Sequence, residues 1–211
     1  MRKLLLYISL IIFAICSSAW GEDNSNIYVG LMVNSSHGDY RTYRGAIIDR
    51  KWQRDTDYRI NIGKNYELFN LNFTTELEYK QAKTNFKHYI IKQQNYFINQ
   101  YINFNTRNIP VLNRLDAVFV NIGLGSARTT ISVTSGTREA HYFGVTISNN
   151  VGFGFKKNIY KNLDIVFHQR YAKYGKFEFG LADAGKNNWG VQTYRIRIRS
   201  MESLIKIQYN F

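Results

Sequence analysis

Apolar and polar residues alternate one for one along most of this 211-residue chain. The segment Ser203 to Phe211 shows it cleanly. Ile205, Ile207, Tyr209 and Phe211 share one face, and Lys206, Gln208 and Asn210 share the other. Such period-two alternation predicts a strand that is apolar on one side and wet on the other. At the end of a chain, such a strand leaves a bare sheet edge unless another strand pairs with it. Closure into a barrel supplies the partner, and the first candidate strand, around Ile27 to Val33, is the natural one.

The pattern recurs throughout. Ile27, Val29, Leu31 and Val33 share a face, then Tyr58, Ile60 and Ile62. Leu71, Phe73, Thr75, Leu77 and Tyr79 oppose Asn70, Asn72, Thr74, Glu76 and Glu78. Tyr96, Ile98, Ile102 and Phe104 oppose Asn95, Asn99 and Asn103, with Gln100 interrupting the apolar side. Val118, Val120, Ile122 and Leu124 lie opposite Phe119, Asn121, Gly123 and Gly125. Val145, Ile147, Val151, Phe153 and Phe155 oppose Thr146, Ser148, Asn150, Gly152 and Gly154. Leu163, Ile165, Phe167 and Tyr171 oppose Asp164, His168 and Arg170. With the terminal segment these make eight strands, an even number, as bacterial single-chain barrels require.

The links between them alternate in length. Short ones are expected at Gly63–Glu67, at Thr106–Arg114 and at Lys156–Asn162. Longer ones are expected at about Asn34–Asp57, Gln81–Gln94, Ser126–Phe143 and Lys176–Glu202. Short turns at one rim and long loops at the other suit an up-and-down barrel with its termini on the short-turn side. One segment breaks the phase. Tyr194, Ile196 and Ile198 alternate with Arg195, Arg197 and Arg199, out of step with Ile205 to Phe211. A one-residue slip reverses every side chain, so a bulge near Ser200 to Glu202, or a separate hairpin, is expected. An arginine at mid-depth on a lipid face costs ~2–4 kcal/mol, so these three should point inward or lie outside a bilayer.

Composition supports strands: 16 Tyr, 14 Phe and 15 Gly against a single Pro. The first 21 residues read as a cleaved signal peptide, with Arg2 and Lys3 preceding an apolar run from Leu4 to Ile15. Small residues follow, and cleavage after Ala19 or Gly21 is expected, leaving 22–211 as one barrel domain. Cys16 raises a lipoprotein alternative, against which stands the bulky Ile15. Beyond residue 21 no apolar run approaches the ~20 residues of a membrane helix, which leaves a membrane barrel open. The formal charge of +13 suits an anionic lipid or polysaccharide surface. Nucleic-acid binding would also give a basic chain, but the export signal argues against it and no nucleic-acid-binding motif is present.

Aromatic residues near the ends of the apolar faces (Tyr58, Tyr79, Tyr96, Phe104, Phe155, Tyr171, Tyr209, Phe211) suit the two aromatic girdles of a membrane barrel. A soluble lipocalin-like barrel would turn the apolar face inward instead. The strand Glu76-Leu77-Glu78-Tyr79, the Pro110 turn leading to Asn121-Ile122-Gly123-Leu124-Gly125, the run from Gly152-Phe153-Gly154 through Asn162-Leu163-Asp164 to Arg170-Tyr171, and the terminal Gln208-Tyr209-Asn210-Phe211 carry a resemblance. Together they resemble the opacity-type, OmpA-like family of eight-stranded outer-membrane β-barrels, porin-like surface proteins. The resemblance implies a bacterial outer-membrane location among lipid and lipopolysaccharide, and a terminal aromatic (Tyr209, Phe211) read by the barrel-assembly machinery. The Asn- and Lys-rich loops of this chain diverge from that pattern.

Glu76, Glu78, Asp164, His168 and Arg170 should all face the lumen. They read either as an ion path or catalytic cluster, or as ion pairs filling an interior too narrow for a pore; the second reading is preferred. A deacylase would want Ser and Asn soon after a His, but Gln169, Arg170 and Tyr171 follow His168. His37 and Asp39, with Ser35 or Ser36, could support an acyl-transfer site at unspecific spacing. No metal-ligand spacing or phosphate-binding glycine loop occurs. The expectation is a monomeric all-β barrel acting through its loops in adhesion, host or matrix contact or envelope integrity. No cofactor and no catalysis are expected. A small-solute or ion channel is the alternative, and a lipid-modifying enzyme the third reading.

Overall fold

The computed structural model describes residues 27–44, 47–85, 89–106, 109, 112, 114–135, 138–180 and 193–211. The signal-peptide region and Pro110 lie outside them. Eight strands run β1 (Ile27–Arg44), β2 (Ile47–Leu68), β3 (Leu71–Asn85), β4 (Tyr89–Asn105), β5 (Ala117–Ser135), β6 (Arg138–Tyr160), β7 (Leu163–Gly180) and β8 (Thr193–Asn210). Each pairs antiparallel with its sequence neighbours, and β8 closes on β1. The Phe211 amide donates to the Ile27 carbonyl at 2.9 Å, so the terminal strand has the partner its pattern demanded.

Register defines the barrel's shape. Paired residues run from Tyr28 through Gly63, Glu76, Asn99, Gly123, Asn150, Ala172 and Ser200, and return to β1 at Gly38. That is ten residues beyond the start, and every residue on the path faces inward. Strands in such a barrel tilt by about 40°, and an eight-stranded interior is just wide enough for side chains to fill it.

One expected turn falls elsewhere, and another is tighter than expected. Residues Gly63 to Glu67 are strand, paired with Asn72 to Glu76, and β2 reaches the two-residue turn Phe69–Asn70. Both turn residues have positive φ (52° and 60°), the geometry that matches strand twist in a tight hairpin. Gly63 had read as a turn residue; its actual part is steric, because a Cβ there would fall on the Tyr28 ring. The β6–β7 turn sits at Lys161–Asn162, with Lys161 at φ 38°. On the opposite rim the long connections are in large part strand, since β1 and β2 stay paired to Arg44 and Ile47.

The phase break before the terminal strand has no bulge behind it. β8 pairs with β1 without interruption from Tyr194 to Asn210, which overturns the expected irregularity at Ser200 to Glu202. Ile196 and Ile198 point inward, 2% and 1% exposed, on the same face as Glu202 and Lys206. Arg197 and Arg199 therefore face outward, not into the lumen; Arg195 lies outside the residues whose side chains are described. What changes is the polarity of the barrel with height. Toward the short-turn end its outside is apolar and its inside polar; toward the other end an apolar cluster joins buried polar residues such as Gln93 and Thr129 inside. There Ile91, Phe97, Ala127, Ile131, Ala172, Tyr174, Phe177, Ile196 and Ile198 form one buried cluster, while Lys83, Lys92, Arg128 and Lys173 are exposed outside. The register irregularity lies instead on β7, between Lys173 and Gly175. Gly175, at φ +107°, allows Tyr174 and then Phe177 both to point into that cluster.

Candidate functional site: the filled lumen

The inward faces of β2, β3, β7 and β8 converge on one charged cluster. Arg170 on β7 forms a bidentate pair with Glu78 on β3 (Nη1–Oε2 2.6 Å, Nη2–Oε1 2.7 Å), and its Nε donates to Glu202 on β8 at 2.6 Å. Arg59 on β2 binds Asp57 at 2.7 Å and both Glu78 and Glu202 at 2.9 Å. Lys80 reaches Asp57 and Glu202, each at 3.1 Å. Tyr174 donates to Glu202, and its ring lies 4.5 Å from the Lys80 ammonium. The side chains of Arg59, Arg170, Glu78 and Glu202 have no solvent exposure. Forked guanidinium–carboxylate pairs of this kind are among the strong hydrogen bonds of proteins.

A second cluster sits below, nearer the short turns. Glu76 accepts from Lys206 at 2.8 Å, from the Tyr28 and Tyr101 hydroxyls at 2.7 Å each, and from Asn61. Asn99 donates to both Glu76 (3.4 Å) and Glu78 (3.0 Å), joining the two clusters. The cations Arg59, Lys80, Arg170 and Lys206 thus stand against the carboxylates Asp57, Glu76, Glu78 and Glu202. Four charges of each sign cancel, which is how charges survive burial. The space left beside Tyr28, Tyr101 and Lys206 is about 20 Å³, room for about one water.

The five residues singled out from the sequence are all buried and inward, but they do not form one site. Glu78 and Arg170 are partners. Glu76 belongs to the lower cluster. His168 joins through amides: its Nε2 lies 2.7 Å from Asn121 Oδ1, Asn121 donates to Asn150 (2.8 Å), and Asn150 donates to Asn99 (2.9 Å). Asp164 stands apart at the short-turn mouth, accepting from Asn158 at 2.8 Å and Asn210 at 2.9 Å. Arg59, Asp57, Lys80, Glu202 and Lys206 had not been picked out, although each keeps the inward phase of its strand; Lys80 simply continues Glu76 and Glu78. The residues suggested for acyl transfer, Ser35, Ser36, His37 and Asp39, lie in β1, not a loop, and alternation sets Ser36 on the opposite face from Ser35, His37 and Asp39. Ser36 donates to the Asp55 carbonyl (3.3 Å), and Ser35 accepts from Arg54 (3.4 Å). Among the described residues no group of three or more His, Cys, Asp or Glu could hold a metal.

The outer surface is the complement of this interior. Leu31, Ile60, Ile122, Phe153 and Ile207 are all more than half exposed. Aromatics border the apolar band: Tyr79 packs on Tyr96 (centroids 5.1 Å) toward the long-strand end, and Tyr209 on Phe211 (5.2 Å) at the other. The Gln100 that interrupted the apolar face is closed off locally, since it donates to the Tyr66 hydroxyl (2.9 Å) and accepts from Thr75 (2.7 Å).

No protein-family model and no curated protein sequence matches the chain. Among solved structures it is similar to Neisserial surface protein A (15% identity, TM-score 0.48, covering 90% of this chain and 100% of that one). It is also similar to the outer membrane protein OprG from Pseudomonas aeruginosa (14%, 0.47, 89% and 95%) and to Ail, the attachment invasion locus protein of Yersinia pestis (14%, 0.42, 89% and 97%). By its own topology and polarity, the chain is a closed, all-antiparallel eight-stranded β-barrel, apolar outside and polar within toward its short-turn end.

Proposed function

We propose that this chain is an exported outer-membrane protein whose sealed barrel anchors a surface-exposed rim, where it works by contact and without catalysis. Adhesion, host or matrix contact, and envelope integrity are the roles in view. The observation that carries this reading is the pairing of an apolar exterior with an interior filled by ion pairs and, above them, by an apolar cluster. An apolar outer band with aromatic borders matches lipid; buried ion pairs across the lumen, with only about 20 Å³ left beside Tyr28, Tyr101 and Lys206, speak against a solute path. The strands continue past the band, so the rim stands off the bilayer as a stiff extension. Residues 1–21 would direct export, and Tyr209 and Phe211 would present the assembly signal. The protein would work as a monomer, because the closed sheet leaves no edge for a partner.

The test compares cells displaying the intact protein with cells displaying a variant lacking residues 181–192. Adherence to host cells or extracellular matrix should fall at equal surface abundance. Undiminished adherence in this variant and in rim deletions of the other three long connections would refute the contact role.

A further inference from the structure

Outside the barrel, β3, β4 and β5 carry an ordered ladder. Directly paired residues on β3 and β4 read upward as Leu77–Ile98, Tyr79–Tyr96, Gln81–Gln94 and Lys83–Lys92. Apolar, aromatic, neutral polar and cationic rungs follow one another in the order a bilayer presents hydrocarbon, interface and headgroup. Lys83 and Lys92 each stand four residues above a girdle tyrosine, roughly 10 Å along tilted strands. Arg128, paired with Gln94 on β5, brings a third cation to the same open groove, which Gln81, Gln94 and Thr130 also line.

Two further observations point to a ligand. Like charges directly opposite on neighbouring strands are destabilising, yet Lys83 faces Lys92, and among the described residues no carboxylate pairs with either of them or with Arg128. A bound anion would relieve this repulsion. In addition, exposed apolar residues stand level with the cations beside this groove. Phe143, Val145 and Ile147 on β6 are 59%, 61% and 68% exposed; Val145 pairs with Arg128, whose guanidinium lies 4.7 Å from the Phe143 ring. Cations beside an apolar wall fit an amphiphile with an anionic head better than a free anion.

We infer that Lys83, Lys92 and Arg128 bind the phosphate groups of the outer-leaflet glycolipid, its acyl chains lying along Leu77 and Ile98. This site rests on the outer-membrane reading above. Lysines act as point charges toward phosphate, and Arg128 adds a forked donor.

The full chain, refolded in detergent micelles, is titrated with diphosphorylated lipid A, with the same lipid dephosphorylated, and with inorganic phosphate, and the complexes are counted by native mass spectrometry. The diphosphorylated lipid should bind at least ~10-fold tighter than either comparator. A Lys83→Gln/Lys92→Gln/Arg128→Gln variant should lose that preference, a Lys83→Arg/Lys92→Arg variant should keep it, and Lys157→Gln/Lys161→Gln at the other rim should not change it. Equal binding of both lipids, or an unchanged preference in the triple variant, overturns the site; equal occupancy by inorganic phosphate assigns it to a soluble anion. Should the triple variant not fold, the comparison of the two lipids on the native chain decides. Insertion into phosphatidylcholine vesicles, read by a heat-dependent gel-mobility shift, separates the two levels: failure of the native chain to insert sinks the membrane reading, whereas insertion without lipid preference sinks only the site.

Discussion

Replacing Arg170 by Met probes the buried charge cluster directly. The residue is 1% exposed, and its side chain makes three charge-assisted bonds, two to Glu78 and one to Glu202. Methionine keeps much of the volume and removes the charge. Four buried carboxylates then face three cations, and Arg59 and Lys80 must serve Glu78 and Glu202 alone. Breaking a buried pair by removing one partner costs about 3–5 kcal/mol; because Arg59 already touches both carboxylates, about 3 is expected. The double variant Arg170→Met/Glu78→Leu restores charge balance, and apolar replacement of a buried pair is often close to neutral. Its loss should therefore fall well short of the sum of the two single losses, with a coupling of about 2 kcal/mol or more. Urea titration in phosphatidylcholine vesicles, followed by circular dichroism, measures all four proteins. A single-variant loss under about 1 kcal/mol, or additive losses, would mean that water reaches the cluster and that the lumen is not filled as described.

Two other perturbations test the geometry around it. The reversal of polarity with height predicts that Ile207→Arg costs ~2–4 kcal/mol in vesicles, as for an arginine on a lipid face, whereas Arg199→Leu changes stability by only about 0.5 kcal/mol, as at an ordinary surface site; equal costs in urea titrations would contradict the reversal. Gly63→Val should destabilise by about 1–3 kcal/mol through overpacking against the Tyr28 ring, and replacing Tyr28 by Ala in the same chain should make it nearly silent. If Gly63→Val is silent by itself, the assigned contact is wrong.

The strands were legible because period-two patterning is a strong signal over long segments. The pairing of β8 with β1, and the inward phase of Glu76, Glu78, Asp164, His168 and Arg170, were readable for that reason. The upper barrel was not. Alternation shows that two faces differ but not which one is inside, so Ile196 and Ile198 read as a phase error. They are the same inward face after the environment outside has changed. The turn at Phe69–Asn70 was missed because neither residue is a glycine, while Gly63, placed to admit a ring from the neighbouring strand, imitated a turn. The partners Arg59, Lys80 and Glu202 come from separate strands, and only the ten-residue stagger brings them to one level.

Single-channel recording on the full-length protein in planar bilayers bears most directly on the sealed barrel. Inserted protein, verified by its heat-dependent gel mobility, should give no openings above the bare-membrane background. Reproducible unitary conductances that are lost when the protein is denatured would contradict a lumen closed by Arg59, Arg170, Glu78 and Glu202.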